Sequence, residues 1–177
     1  MHYAIVDFVT DIAQNACESG ASRVGIVFSE DDERVDVIVE DDGKGMGAEQ
    51  LARALDPFYT DGVKHPGRKV GLGLPFLKQA AEQDGGRFRI RSEKGRGTAV
   101  EFGFDKRNVD CPPVGDVPGM LLSALCMPGG HEMTIARRRG SLSYELVKSE
   151  LIEALGNLEE VSSLTLLKQF LRSQEEG

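Results

Sequence analysis

Residues 11–15 of this chain read Asp-Ile-Ala-Gln-Asn, and residues 41–46 read Asp-Asp-Gly-Lys-Gly-Met. A third stretch, Val-Gly-Leu-Gly-Leu, follows at residues 70–74. Each stretch alone is a weak signal. In this order and at these spacings, they predict a nucleotide pocket with a metal-binding amide, a base-reading carboxylate and glycine turns that admit phosphate groups.

The first stretch lies in a helix that apolar periodicity predicts over residues 3–18. Asp11 and Asn15 are four residues apart and therefore share one face of this helix. An amide oxygen beside a carboxylate suits Mg²⁺, which takes few protein ligands and completes its shell with water and phosphate oxygens. The alternative is that both residues form the solvated side of an amphipathic helix, which is the better reading of an isolated pair.

The second stretch follows a strand predicted for residues 35–40. A carboxylate such as Asp41 at a strand end can accept a hydrogen bond from the adenine amino group, and a buried contact of this kind discriminates strongly. Gly43 and Gly45 permit positive φ angles and close approach of a ligand. The alternative is a plain glycine turn between a strand and a helix.

The third stretch opens a helix predicted over residues 74–83. Small residues at Gly71 and Gly73 expose the N–H groups of the first turn, where the helix dipole favours phosphate oxygens. Lys69 belongs to a loop predicted over residues 60–69, and either supplies charge beside a polyphosphate or is simply solvated. The spacing lacks the third glycine of a Rossmann fingerprint, and the sequence contains no P-loop.

The bulk properties exclude several classes of protein. The chain has 177 residues, a net charge of -8 and a pI near 5.0, which disfavours nucleic-acid binding. Its three cysteines form no C-x-x-C pair, which argues against a disulfide framework or a zinc site and suits a reducing compartment. No signal peptide and no apolar run of membrane-spanning length is present. We therefore expect a cytoplasmic protein that contacts neither nucleic acid nor membrane, and a homodimer stays open.

The pattern of elements predicts an α+β fold. Residues 1–104 should form a two-layer sandwich with helices on one face of a mixed, mostly antiparallel sheet. Residues 105–118 are rich in Pro and Gly and predict a linker. Residues 119–177 should form a small α/β extension that docks on the first domain. Its predicted elements are a helix over residues 120–127, a strand over 133–138, and helices over 144–155 and 161–171.

Residues 5–104 resemble the GHKL ATP-binding fold shared by gyrase, the mismatch-repair protein MutL, large heat-shock chaperones and histidine kinases. The stretch that begins at Asp11 looks like the N-box of that family, and the two glycine stretches look like its glycine boxes. Residues 56–58 resemble the kinase F-box, and residues 97–98 resemble the last motif, on a closing strand. Five motifs in order make chance agreement improbable.

The resemblance implies ATP and Mg²⁺ as cofactors. Asn15 would hold Mg²⁺, Asp41 would bind the adenine amino group, and Thr98 would make a water-linked contact to the same edge. Asp11 stands where gyrase-like members carry a glutamate as general base, and its shorter side chain puts its reach to water in doubt. The resemblance further implies a lid over residues 57–70 and a pocket lined by Gly43, Gly45, Met46, Lys69, Gly71, Leu72, Gly73 and Leu74.

Residues 68–75 and 112–116 also resemble a group of stand-alone, histidine-kinase-like bacterial proteins that are often encoded beside iron-hydrogenase genes. A histidine kinase needs an acceptor histidine on a helical hairpin before its ATP domain, and none is evident in this sequence. We therefore expect a Mg-ATP-binding regulatory protein without its own phosphoacceptor domain, acting on a partner protein as a kinase in trans. Two alternatives stay open: a weak ATPase with a nucleotide-gated lid, and a catalytically silent ATP-sensing adaptor.

Two features of the C-terminal region receive only local predictions. Residues 137–139 read Arg-Arg-Arg in an acidic chain, and predict either a docking surface for an acidic partner or a solvated turn. His131 is expected to be a turn residue before a strand.

Overall fold

The computed structural model describes residues 3–58 and 73–177. Apolar residues alternate along the strands and recur every third or fourth residue along the helices, so each element has one side to bury. The helices are α1 (Ile5–Glu18), α2 (Ala48–Ala54), α3 (Gly73–Gln83), α4 (Val117–Leu125), α5 (Lys148–Leu155) and α6 (Val161–Glu176). The strands are β1 (Arg23–Glu30), β2 (Arg34–Asp41), β3 (Arg87–Glu93), β4 (Gly97–Asp105), β5 (Glu132–Arg139) and β6 (Leu142–Val147).

The strands form one six-stranded open sheet in the order β3-β4-β2-β1-β5-β6. Four neighbouring pairs are antiparallel, and only β1 and β5 pair in parallel. The predicted mixed, mostly antiparallel α+β architecture is therefore confirmed.

One face of the sheet carries the core. In β2 the buried side chains are Val35, Val37 and Val39, and the intervening residues point to the other face. Helix α1 covers this face because Ile5, Phe8, Val9 and Ile12 form a buried stripe along it. Burying apolar area of this kind contributes about 25 cal/mol per Å² to folding.

The register of the strands also positions polar residues on the core face. Asp41 continues the alternation of β2, so its side chain emerges on the core face where the strand ends. In the ladder Asp41 lies opposite Thr98 of β4, and Thr98 lies opposite Ser92 of β3. A polar row therefore borders the apolar core at this end of the sheet.

Residues beyond 104 extend the same sheet and core. β5 pairs with β1 over eight residues, from Arg23 opposite Glu132 to Glu30 opposite Arg139. The predicted linker also contacts helix α1, because the amide of Ile5 donates a hydrogen bond to the carbonyl of Pro113 at 2.8 Å. This bond satisfies an N–H in the first turn of α1 that has no partner within the helix. The predicted division into folding units stays a prediction, but the sheet and core run across both of its boundaries.

The prediction of a single helix over residues 144–155 is wrong in its first part. Residues 142–147 form strand β6, which pairs with β5, and helix α5 begins only at Lys148. Leu142, Tyr144 and Leu146 alternate with a period of two, which fits an edge strand. The leucines at 142 and 146 are also spaced like one helical face, and that coincidence favoured the wrong reading.

For the first residue of the basic run at residues 137–139, both predicted alternatives, a docking surface and a solvated turn, are wrong. Arg137 is fully buried, because β5 points it to the core face two residues after Ile135. Its guanidinium lies 2.8 Å from a carboxylate oxygen of Glu30 and 2.9 Å from one of Glu175 in α6. It also lies over the ring of Phe28, 4.5 Å from the centroid. Through these contacts Arg137 stabilises the packing of helix α6 against the sheet.

Candidate nucleotide-binding site

A cavity of about 860 Å³ opens between α1, α2 and the ends of β2 and β4. Its volume lies within the usual range for small-molecule sites. Ile12, Val39 and Val100 give it apolar walls, and an apolar wall suits a planar base. Among the residues predicted for the site, Asn15, Asp41, Gly45, Met46, Leu74 and Thr98 line this cavity.

Asp41 is the buried acid of the cavity. Its Oδ1 accepts a hydrogen bond from the Gly43 amide at 2.8 Å and from the Ser19 hydroxyl at 3.0 Å. Burial raises the pKa of Asp41 above its ordinary value, although these two hydrogen bonds oppose the rise. A fixed, half-buried carboxylate of this kind discriminates strongly between ligands that offer it a hydrogen-bond donor and ligands that do not.

Ser19 contacts the candidate site, and the sequence reasoning missed it. It is the C-cap of α1, and its hydroxyl lies 2.7 Å from the carbonyl of Ala16 as well as 3.0 Å from Asp41. The hydroxyl carries one proton and cannot donate fully to both oxygens. Serine followed by Gly20 marked only a helix end, so nothing local indicated a contact with a residue in β2.

Thr98 and Met46 are held by a second residue that the sequence reasoning missed. Ser92 Oγ lies 2.7 Å from Thr98 Oγ1 and accepts a hydrogen bond from the Met46 amide at 2.8 Å. This small network ties the β3–β4 hairpin to the glycine turn after β2. Thr98 therefore faces the cavity beside Asp41 in a fixed position.

The glycines of the turn are needed for two different reasons. Gly45 has φ of +62°, and a Cβ there would also collide with the carbonyl of Glu93. Gly43 has no positive φ, so backbone conformation is not the reason for glycine at this position. A Cβ on Gly43 would lie 2.6 Å from Ser19 Cβ and 2.8 Å from the Ser19 carbonyl oxygen. Close approach to Ser19 is therefore what excludes a side chain at position 43.

Asn15 and Asp11 occupy different surroundings, although both lie on α1. Asn15 is exposed and lines the cavity, whereas Asp11 is not among the described lining residues. Asp11 instead lies against the start of α3, where a Cβ on Gly73 would be 3.1 Å from Asp11 Cβ. Packing against α1 thus explains glycine at position 73, and the proposed role of Asp11 as a base stays a prediction.

The third predicted stretch is described only in part. Helix α3 begins at Gly73, and Leu74 is buried and lines the cavity. Lys69, Gly71, Leu72 and the predicted loop over residues 60–69 lie outside the described residues.

Within the two described segments, no group of three His, Cys, Asp or Glu side chains could hold a metal ion. A site built on Asn15 would therefore depend on phosphate oxygens and water, as Mg²⁺ sites at nucleotides commonly do. Asn15 fits that role because its amide is neutral, exposed and at the cavity wall.

Comparison with known proteins gives the family. The family model for histidine kinase-, DNA gyrase B-, and HSP90-like ATPases matches residues 3–108, which is more than half of the chain. The chain belongs to this ATPase family. Membership implies ATP binding, and the chain carries an ATPase domain of the histidine kinase type.

Several curated proteins are similar to this family member. The heme sensor protein HssS of Staphylococcus saprophyticus is 31% identical over 60% of this chain and 22% of its own length. The DNA mismatch repair protein MutL of Thermus aquaticus is 32% identical over 72% of this chain and 24% of its own length. The chain thus spans about a quarter or less of these relatives. Among solved structures, the mycobacterial sensor histidine kinase MprB matches with a TM-score of 0.42 at 22% identity, over 55% of this chain and 69% of that one.

In the described part of this ATPase-family chain, no helix is both long and apolar enough to cross a membrane.

Proposed function

We propose that this chain binds Mg-ATP in the cavity beside Asp41 and acts in the cytoplasm as a regulatory kinase in trans, on a partner protein. The observation that carries ATP binding is the placement of Asp41. It is a half-buried carboxylate on the core face, aligned by Ser19 and Gly43, at the rim of a cavity of about 860 Å³ that has apolar side chains in part of its wall.

Each residue of the site has a distinct part in this proposal. Asp41 accepts a hydrogen bond from the adenine amino group, and Thr98, which lies opposite Asp41 in the ladder, binds the same edge through water. Asn15 lies on the α1 wall of the cavity and offers its amide oxygen to Mg²⁺. Bound Mg-ATP would supply the phosphoryl group, and the protein contributes mainly position and charge.

The surroundings of His131 bear on the choice of phosphoryl acceptor. It is the one histidine within the described residues, and it is only 5% exposed. Its Nε2 lies 3.2 Å from the Cys17 sulfur. This imidazole is therefore closed to an incoming phosphoryl group, so the proposal does not use His131 as the acceptor.

The weak-ATPase alternative needs Asp11 to reach a water molecule at the terminal phosphate. Asp11 packs against the start of α3 and is not among the described residues that line the cavity. This position gives the trans kinase more support than the ATPase.

Three measurements test the proposal in sequence. Titration calorimetry should show Mg-ATP binding that Asn15→Ala weakens by at least about tenfold, because a metal ligand is lost. Hydrolysis by the isolated chain should stay near background. Radiolabelled phosphate should then move from ATP to a protein captured with the chain in the presence of an ATP analogue.

Two results would count against it. Steady hydrolysis that disappears in Asp11→Asn, with ATP still bound, would establish the ATPase instead. ATP binding with no labelled partner would favour a silent adaptor.

A further inference from the structure

A thiol, a thioether and an imidazole meet at the C-terminal end of α1, and none of the three is among the described residues that line the nucleotide cavity. Cys17 lies in the last turn of α1, Met127 follows α4, and His131 precedes β5. The Cys17 sulfur lies 3.2 Å from Nε2 of His131 and 3.6 Å from the sulfur of Met127. We propose that this soft-donor cluster of Cys17, Met127 and His131 binds a monovalent soft metal ion, Cu(I).

The spacing of the donors fits a bound metal. With metal–sulfur and metal–nitrogen bonds of about 2.3 and 2.0 Å, tetrahedral angles put S and N roughly 3.5 Å apart and two sulfurs roughly 3.8 Å apart. The observed separations are 3.2 Å and 3.6 Å. Each of these two separations needs to change by only a few tenths of an ångström to match.

The chemistry of the donors selects the ion. A thioether is a soft ligand that favours Cu(I), whereas hard ions prefer oxygen. Cys17 would lose its thiol proton to solvent on binding, so one thiolate and one Cu(I) give a neutral centre. Zn²⁺ would instead leave a net positive charge near Lys148, whose ammonium donates to the Met127 carbonyl at 3.1 Å. Charge therefore favours the monovalent ion.

The surroundings hold the imidazole in place. His131 is only 5% exposed, so its ring is packed inside the fold. Gly129 has φ of +133°, and a Cβ there would lie 2.8 Å from Nδ1 of His131. The loop before β5 thus wraps closely around the second ring nitrogen, which restricts ring rotation.

Anaerobic titration of the full chain with Cu(I), against a colorimetric Cu(I) chelator, tests this proposal. The wild-type chain should hold a single equivalent. Met127→Leu conserves side-chain volume and should weaken binding by at least about tenfold, and Cys17→Ser should weaken it further, since each removes a direct ligand. Cys126→Ser is the matched control, because this exposed cysteine lies outside the cluster, and its affinity should equal wild type.

X-ray absorption at the copper edge should show two sulfur ligands and one nitrogen ligand. Equal Cu(I) affinity of Met127→Leu and wild type, at equal melting temperatures, would overturn the proposal. So would displacement of Cu(I) by equimolar Zn²⁺. Either result would leave the contact of Cys17 with His131 as a simple thiol–imidazole hydrogen bond. The proposal does not depend on ATP binding, so its failure would leave the kinase proposal intact.

Discussion

Gly43→Ala should damage the turn that aligns Asp41. The added Cβ would lie 2.6 Å from Ser19 Cβ and 2.8 Å from the Ser19 carbonyl oxygen. The second of these is a backbone atom, so the clash cannot be relieved by a rotamer change alone. The turn or the end of α1 must therefore move.

The magnitude follows from what the movement breaks. Overpacking of this kind costs about 1–3 kcal/mol. Moving Ser19 also disturbs its 3.0 Å hydrogen bond to Asp41 and the 3.0 Å bond from the Lys44 amide to the Ser19 carbonyl. Each hydrogen bond contributes about 1 kcal/mol net. We expect the free energy of unfolding to fall by about 3–5 kcal/mol, and ATP affinity to fall by at least about tenfold because Asp41 is misaligned.

Urea unfolding and titration calorimetry measure the two effects. Gly25→Ala is the matched control, because a Cβ at position 25 of β1 meets nothing within 4 Å. That control should stay within about 0.5 kcal/mol of wild type. If Gly43→Ala also stays within that margin and binds ATP as wild type does, the assigned reason for glycine at position 43 is wrong.

Two further predictions concern the ion-paired cluster that fastens α6. Arg137→Leu should lower the free energy of unfolding by about 3–5 kcal/mol, because Glu30 and Glu175 would lose the cation between them. The exposed neighbour Arg138 provides the control, since Arg138→Leu should change the free energy of unfolding by less than about 0.5 kcal/mol. Equal urea midpoints for the two variants would contradict the stabilising role of Arg137. Burial opposes the shift, but hydrogen bonds from Arg137 and Tyr144 hold the pKa of Glu175 below its ordinary 4.5. A carboxyl group whose pKa is lower in the folded state stabilises the fold at pH values above its pKa in the unfolded state. This stabilisation is lost as the pH falls through the pKa of the folded state. Unfolding measured from pH 6 down to about pH 3 should therefore lose stability less steeply in Glu175→Gln than in wild type, and parallel curves would contradict this.

Local patterns predicted most of the fold. The stripe on α1 and the alternation in β2 each depend on a single element, and α1, β2 and α3 all appear close to their predicted bounds. The helix–strand error at residues 142–147 arose because Leu142 and Leu146 fit both periods, and only pairing with β5 resolves the choice. Tertiary pairing therefore decided what local periodicity could not.

Residues of the candidate site could be predicted where they belong to a recognisable sequence motif. They could not be predicted where only a tertiary contact brings them to the site. Asn15 and Asp41 were found from motif and spacing, Thr98 came from the family resemblance, and all three line the cavity. Ser19 and Ser92 were missed, because Ser19 contacts Asp41, 22 residues away, and Ser92 contacts Met46, 46 residues away. No local pattern encodes such a contact.

The buried charge at Arg137 was misread for a similar reason. An arginine run in an acidic chain indicates exposure, unless its counterions are known. Those counterions come from β1 and from the last turn of α6, 107 and 38 residues away. Only the assembled fold brings them together.

Calorimetric titration of Mg-ATP into Asp41→Asn and Asp42→Asn tests the central claim most directly. Asparagine at position 41 can keep the acceptor that Ser19 and Gly43 use, but it turns the other acceptor into a donor facing the adenine amino group. Asp42 is the adjacent control, because it is exposed, is not among the described residues that line the cavity, and accepts hydrogen bonds from the amides of Ser22 and Arg23. We predict that Asp41→Asn weakens ATP binding by about 1–3 kcal/mol while Asp42→Asn binds like wild type. Equal ATP affinity in Asp41→Asn and wild type would contradict the assignment of this cavity as the nucleotide site.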